Sequence, residues 1–145
     1  MIIDQYFKAY LDALKTMKRA LKDYVDAKMD FYTITGTNYD EKVKGQSVPL
    51  GLDSLIANIE TLEENYIAAK KDCDKERQKC LNDISKLKND LYELLIEYIY
   101  LNREKSNKKL LMLLNKYHNI EISYSYLRNS KSQAIKEFKN IISTK

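Results

Sequence analysis

Proline occurs once in this chain and glycine three times, and all four fall between Gly36 and Gly51. Tryptophan is missing, histidine occurs once, as His118, and cysteine twice, as Cys73 and Cys80. So few chain breakers in 145 residues leave room for long helices and little else, and no strand-like alternation persists anywhere. The fragment Gly36-Thr-Asn-Tyr39 is not followed by the Gly-Lys-Ser/Thr that opens a phosphate-binding helix, so no nucleotide is implied. One histidine without such a loop or a paired-acid motif gives no catalytic constellation; no enzyme, cofactor or metal is expected. The two cysteines stand seven residues apart, roughly 10 Å of rise on a helix. That spacing forbids an intrachain disulfide without unwinding and reads as small apolar residues on a packed seam. No window approaches a membrane-spanning apolar run, and MIIDQYFKAY has no cationic region followed by an apolar core. The expected location is the cytoplasm.

What is present is 44% hydrophobic and 32% charged sequence, enough apolar matter for a core. From Asp4 to about Thr33, Phe7, Leu14 and Leu21 repeat every seven residues, and so do Tyr10, Met17, Tyr24 and Phe31. These are the two columns of a coiled-coil seam. Residues 34–51 break the pattern and predict a long loop. A second helix starts after Gly51, with Asp53 or Ser54 as its cap, and carries Ile59, Leu62, Tyr66, Ala69, Cys73 and Cys80 on one face. After Cys80 the spacing slips to Ile84, Leu87, Leu91 and Leu94, which suggests a local change of partner. Around Lys88-Asn89-Asp90 the helix bends or restarts, with Asp90 as a cap. Seam residues that run past the first helix need cover, and this predicts a homodimer.

From Asp90 onward three short amphipathic segments follow, 90–102, about 106–118 and about 123–142, the last opening on Ser123 as a cap. Segments this short cannot form separate cores and must pack together. Charge is lopsided: residues 1–89 carry 15 Lys+Arg and 15 Asp+Glu, residues 90–145 carry 10 and 6. The expected fold is all-α, a long antiparallel helical hairpin, 1–89, followed by a three-helix helix-turn-helix head, 90–145. A basic head of this kind has the electrostatic footprint of a phosphate-backbone binder.

The run Tyr92-Glu-Leu-Leu-Ile-Glu-Tyr98, a middle helix, and Ser123-x-x-x-Leu127 followed by Ala134-Ile135-x-x-Phe138 resemble phage transcriptional regulators of the RinA/ArpU type. Their C-terminal half is similar to the sigma-factor region that binds the −35 promoter element. The resemblance implies that the last helix reads double-stranded DNA, with host RNA polymerase or another host protein as a further partner. On that helix the apolar anchors leave Tyr124, Ser125, Arg128, Asn129 and Ser132 outward, of types that read base edges. Lys131, Lys136 and Lys139, with Arg103, Lys105, Lys108 and Lys109 around the start of the middle helix, suit phosphates. The chain departs from the family pattern at Glu97, where arginine is usual, and in the turn His118-Asn-Ile-Glu-Ile122, which lacks glycine. Those departures sustain a second expectation, a small phage-encoded inhibitor or adaptor that engages a host protein without reading DNA.

Overall fold

The computed structural model describes residues 2–42 and 52–144, the side chains of 34–42 excepted. Helices make up the described chain: α1 (Ile2–Lys42), α2 (Leu52–Ile84), α3 (Asp90–Ile96) continuing into a π-helical turn (Glu97–Leu101), α4 (Asn107–His118) and α5 (Tyr124–Ser143). The fold is all-α and begins with a helical hairpin. Tyr6 meets Asp83 and Tyr10 meets Arg77, while further along Tyr24 stacks on Tyr66 and Phe31 shares a groove with Ile59. As residue numbers rise on α1 they fall on α2, which makes the pair antiparallel.

Three boundaries differ from the sequence expectation. α1 does not stop near Thr33 but continues through Gly36 to Lys42. One interior glycine costs about 1 kcal/mol against alanine, too little to stop a helix already propagating over eight turns. The predicted loop therefore loses residues 34–42, and its remainder, 43–51, lies outside the described residues. α2 begins at Leu52, so Asp53 and Ser54 sit in the first turn and do not cap it, and Asp53 there favourably meets the positive end of the helix dipole. Asn89, not Asp90, caps α3: its side chain accepts from the backbone N–H of Leu91 at 2.9 Å and of Tyr92 at 3.4 Å.

Two compact units divide the chain: one comprises Met1–Leu11 with Lys75–Lys145, the other Asp12–Asp74. In the hairpin unit, Asp12–Asp74, the Tyr24 and Tyr66 rings stack at 6.4 Å. The other α1 column fares differently. Leu21, expected on the seam, is exposed, although Leu14 of the same column is half-buried; a single partner helix covers this edge of the α1 stripe only in part.

In the head unit the N-terminal turns of α1 join the C-terminal helices. Phe7, only 1% exposed, stacks on Tyr100 at 5.0 Å and on Phe138 at 5.6 Å, and Tyr6 meets Phe138 edge-on at 5.4 Å. Burial of each such ring stabilises the fold by about 1.5–3 kcal/mol. α3, at seven residues, is too short to persist alone and is held by packing. Leu95 belongs to a cluster with Leu110, Leu114 and Leu127, whereas Tyr100, on the π-helical turn, faces Phe7. Arg77, in the polar slot of the α2 seam, donates to the Tyr10 hydroxyl at 3.1 Å and pairs with Glu97 at 3.5 Å. Glu97, where the resembled family has arginine, thus meets a cation from α2. Cys73 and Cys80 are buried thiols, not a disulfide.

Candidate nucleic-acid interface

Two hydroxyl caps and one left-handed residue shape the α4–turn–α5 unit. Ser106 Oγ accepts from the Lys109 N–H at 3.4 Å and Ser123 Oγ from the Tyr126 N–H at 3.1 Å, so each helix starts where a hydroxyl relieves its unpaired donors. α4 ends on Asn119, at φ 58° and ψ 34°, and the Ile120 N–H returns to the Leu114 carbonyl at 3.0 Å. Asparagine tolerates this conformation through its short polar side chain, so the turn closes without the missing glycine. Ile120 and Ile122 pack on the Leu95, Leu110, Leu114 and Leu127 cluster and pull the turn onto the core. His118, at the end of α4, sits 2.8 Å from the Tyr98 hydroxyl through Nε2.

α5 buries Leu127, Ser130, Ala134 and Phe138 and exposes the opposite side. Ser125, Arg128, Asn129 and Ser132, four of the five expected base-reading residues, line one shallow polar depression of about 410 Å³. Lys136, one turn beyond Ser132, is exposed on the same side of the helix. Tyr124, the fifth, stands beside them: the Arg128 guanidinium lies over its ring at 5.9 Å. The Tyr124 hydroxyl accepts from Asn107 Nδ2 at 3.1 Å, and Asn107 Oδ1 accepts from Lys131 Nζ at 2.6 Å. This chain of contacts fastens the start of α5 to the start of α4. Asn107 carried no sequence signal, since nothing in the pattern says which polar residue of one helix faces another.

The expected phosphate contacts fall into two groups. Arg103, Lys105, Lys108 and Lys109 are all exposed around the α4 N-terminus. Arg103 has φ 57°, a left-handed backbone that costs a non-glycine residue about 1–2 kcal/mol. Lys131 and Lys139 are half-buried, and Lys131 gives one of its three donors to Asn107. Glu104 turns inward enough to accept from the Ser106 N–H at 3.3 Å. Burial, then the charges of Asp90 and Glu97, raises the Glu93 carboxyl above the usual range.

Among the described residues no group of three or more His, Cys, Asp or Glu side chains is placed to hold a metal ion. No described helix is long and apolar enough to cross a membrane. Compared with protein-family models, curated proteins and solved structures, the chain matches none.

Proposed function

We propose that this chain is a non-enzymatic, DNA-binding transcriptional regulator of the phage type, working in the host cytoplasm with α5 as its recognition helix. The observation that carries the reading is the outward stripe of α5. From Ile122 to Lys136 the sequence has no carboxylate, and Ser125, Arg128, Asn129 and Ser132 share one exposed depression. An anionic duplex repels a face with carboxylates and attracts one without them. Arginine pairs bidentately with guanine and asparagine with adenine, and hydroxyls serve either. In the proposed mode the stripe enters the major groove as a recognition helix does, and cations at the α4 N-terminus reach the backbone. Arg103, Lys105, Lys108 and Lys109 supply those cations, and host RNA polymerase is the further partner.

Fluorescence anisotropy on duplexes from the chain's own genome, at several salt concentrations, tests the reading. The expected result is binding whose logarithm falls linearly with log salt, at a slope of about −0.9 per phosphate contacted. Absence of salt-dependent binding to every duplex near physiological ionic strength overturns it. The second reading, an inhibitor or adaptor on a host protein, is favoured by Met112, Tyr117 and Tyr126, large apolar side chains exposed in the head unit. Capture of a host protein that survives nuclease treatment is the result that selects it.

A further inference from the structure

In the head unit the seam column that starts at Phe7 is covered by Tyr100 and Phe138. In the hairpin unit the same helix shows an uncovered apolar row. Leu21, Val25, Met29 and Tyr32, spaced four, four and three residues apart, are 37%, 44%, 62% and 60% exposed. On α2, Ile56 and Ile67 lie three turns apart on one side and are 39% and 56% exposed. The two rows border a single face, because Phe31 and Tyr32 of α1 and Ile56 and Ile59 of α2 line one apolar groove of about 180 Å³, with Lys28 and Glu60 at its edge. Antiparallel packing sets Leu21 level with Ile67 and Tyr32 level with Ile56. Among the described residues of this unit only Cys73 is buried. Two helices in one layer have a seam but no core, and helical layers are stable when a second layer closes them.

We infer that this face is a self-association surface: a second copy of the chain docks on it and closes a four-helix bundle. Charge selects a second copy as the occupant. Within this unit α2, from Leu52 to Asp74, carries six carboxylates against Lys70 and Lys71, net −4, whereas α1, from Asp12 to Thr33, carries five Lys and Arg against four Asp, net +1. A two-fold axis along the hairpin lays each α1 on the partner's α2, the helix of net +1 against the acidic one, with Lys28 at the level of Glu60. The other two-fold arrangement, α1 on α1 and α2 on α2, opposes two helices of net −4. Size agrees: about 20 residues of two adjacent helices cover roughly 30 Å by 20 Å, on the order of 600 Å² per copy. That is the low end of specific interfaces. The inference is independent of DNA binding.

Sedimentation velocity on the full chain across micromolar concentrations tests it. The expected result is a reversible dimer that Val25→Glu and, separately, Ile67→Glu convert to monomer with unchanged helicity, while Met112→Glu, in the head unit, leaves the dimer intact. Glu60→Lys is expected to weaken the dimer about tenfold, because two symmetry-related pairs are lost, and adding Lys28→Glu to restore it. A wild-type monomer at every concentration overturns the inference, and so does a dimer that survives both glutamate substitutions.

Discussion

Asn107 and Lys131 meet at 2.6 Å across the α4–α5 junction, and the other end of the Asn107 amide donates to the Tyr124 hydroxyl at 3.1 Å. Through Tyr124, which lies under the Arg128 guanidinium, the first residue of α4 supports the arginine on the outward stripe. Asn107→Ala should therefore cost about 1 kcal/mol of stability, the value of a typical hydrogen bond. Urea unfolding measures it. Combined with Lys131→Met, the two changes should be less than additive, because both remove the same contact.

Arg128 and Lys136 occupy one stripe but should behave differently on DNA. Arg128→Ala should cost ~1–3 kcal/mol on a specific duplex and relax preference at one base, since a bidentate contact is lost. Lys136→Ala should weaken all sequences alike and reduce the salt slope by about one. Anisotropy on specific and scrambled duplexes separates them, and circular dichroism should show both variants folded, since neither side chain is buried.

Arg103 holds a left-handed backbone at φ 57°. Glycine adopts that conformation without a Cβ clash, so Arg103→Gly should raise stability by up to about 1 kcal/mol, net of the added freedom of the unfolded chain. The same change removes a cation near the α4 N-terminus and should weaken duplex binding. Thermal melts and anisotropy on one preparation check the opposed signs.

Phe7 ties the N-terminus to Tyr100 and Phe138. Phe7→Ala should destabilise the head by about 3–5 kcal/mol, as expected for a fully buried ring. A fragment of residues 90–145 lacks this ring altogether and should show weak, non-cooperative melting by circular dichroism. A cooperative transition like that of the full chain would show that the N-terminal turns are dispensable.

The Tyr6 phenol is pushed far above its ordinary range, first by burial and then by its hydrogen bond to the Asp83 carboxylate, with Cys80 adding to it. The folded chain keeps this proton at a pH where the unfolded chain has lost it. The resulting stability is complete below about pH 10, the value of a free tyrosine, and declines as pH rises beyond it. Urea midpoints should fall above about pH 10, and less steeply in Tyr6→Phe. Tyr100, raised by burial and by Asp4, should account for part of the remaining slope.

Much of the head was legible because its signals are local. Ser123, expected as a cap, caps α5, and the middle helix begins where its apolar run was expected to, behind Ser106. Leu127, Ala134 and Phe138 repeat at helical spacing and are buried, and the residues opposite them are exposed. The left-handed turn at Asn119 was harder to read, because asparagine substitutes for the usual glycine only by virtue of a backbone angle. Glu97 was read against a family pattern. Its meaning lies in Arg77, twenty residues away on another helix.

Periodicity, caps and the clustering of glycine and proline were sufficient for the all-α class, the hairpin and the places where α4 and α5 begin, since each depends on residues within a turn or two. Which surfaces meet is a different kind of quantity. Phe7 and Leu21 hold the same heptad position, yet one is sealed between aromatic rings and the other faces solvent. The repeat specifies that a side chain is apolar and which way it points from its own helix. Only the tertiary structure decides whether another element arrives to cover it, because that cover comes from Tyr100 and Phe138, about 90 and 130 residues along the chain, and no local interaction encodes their approach.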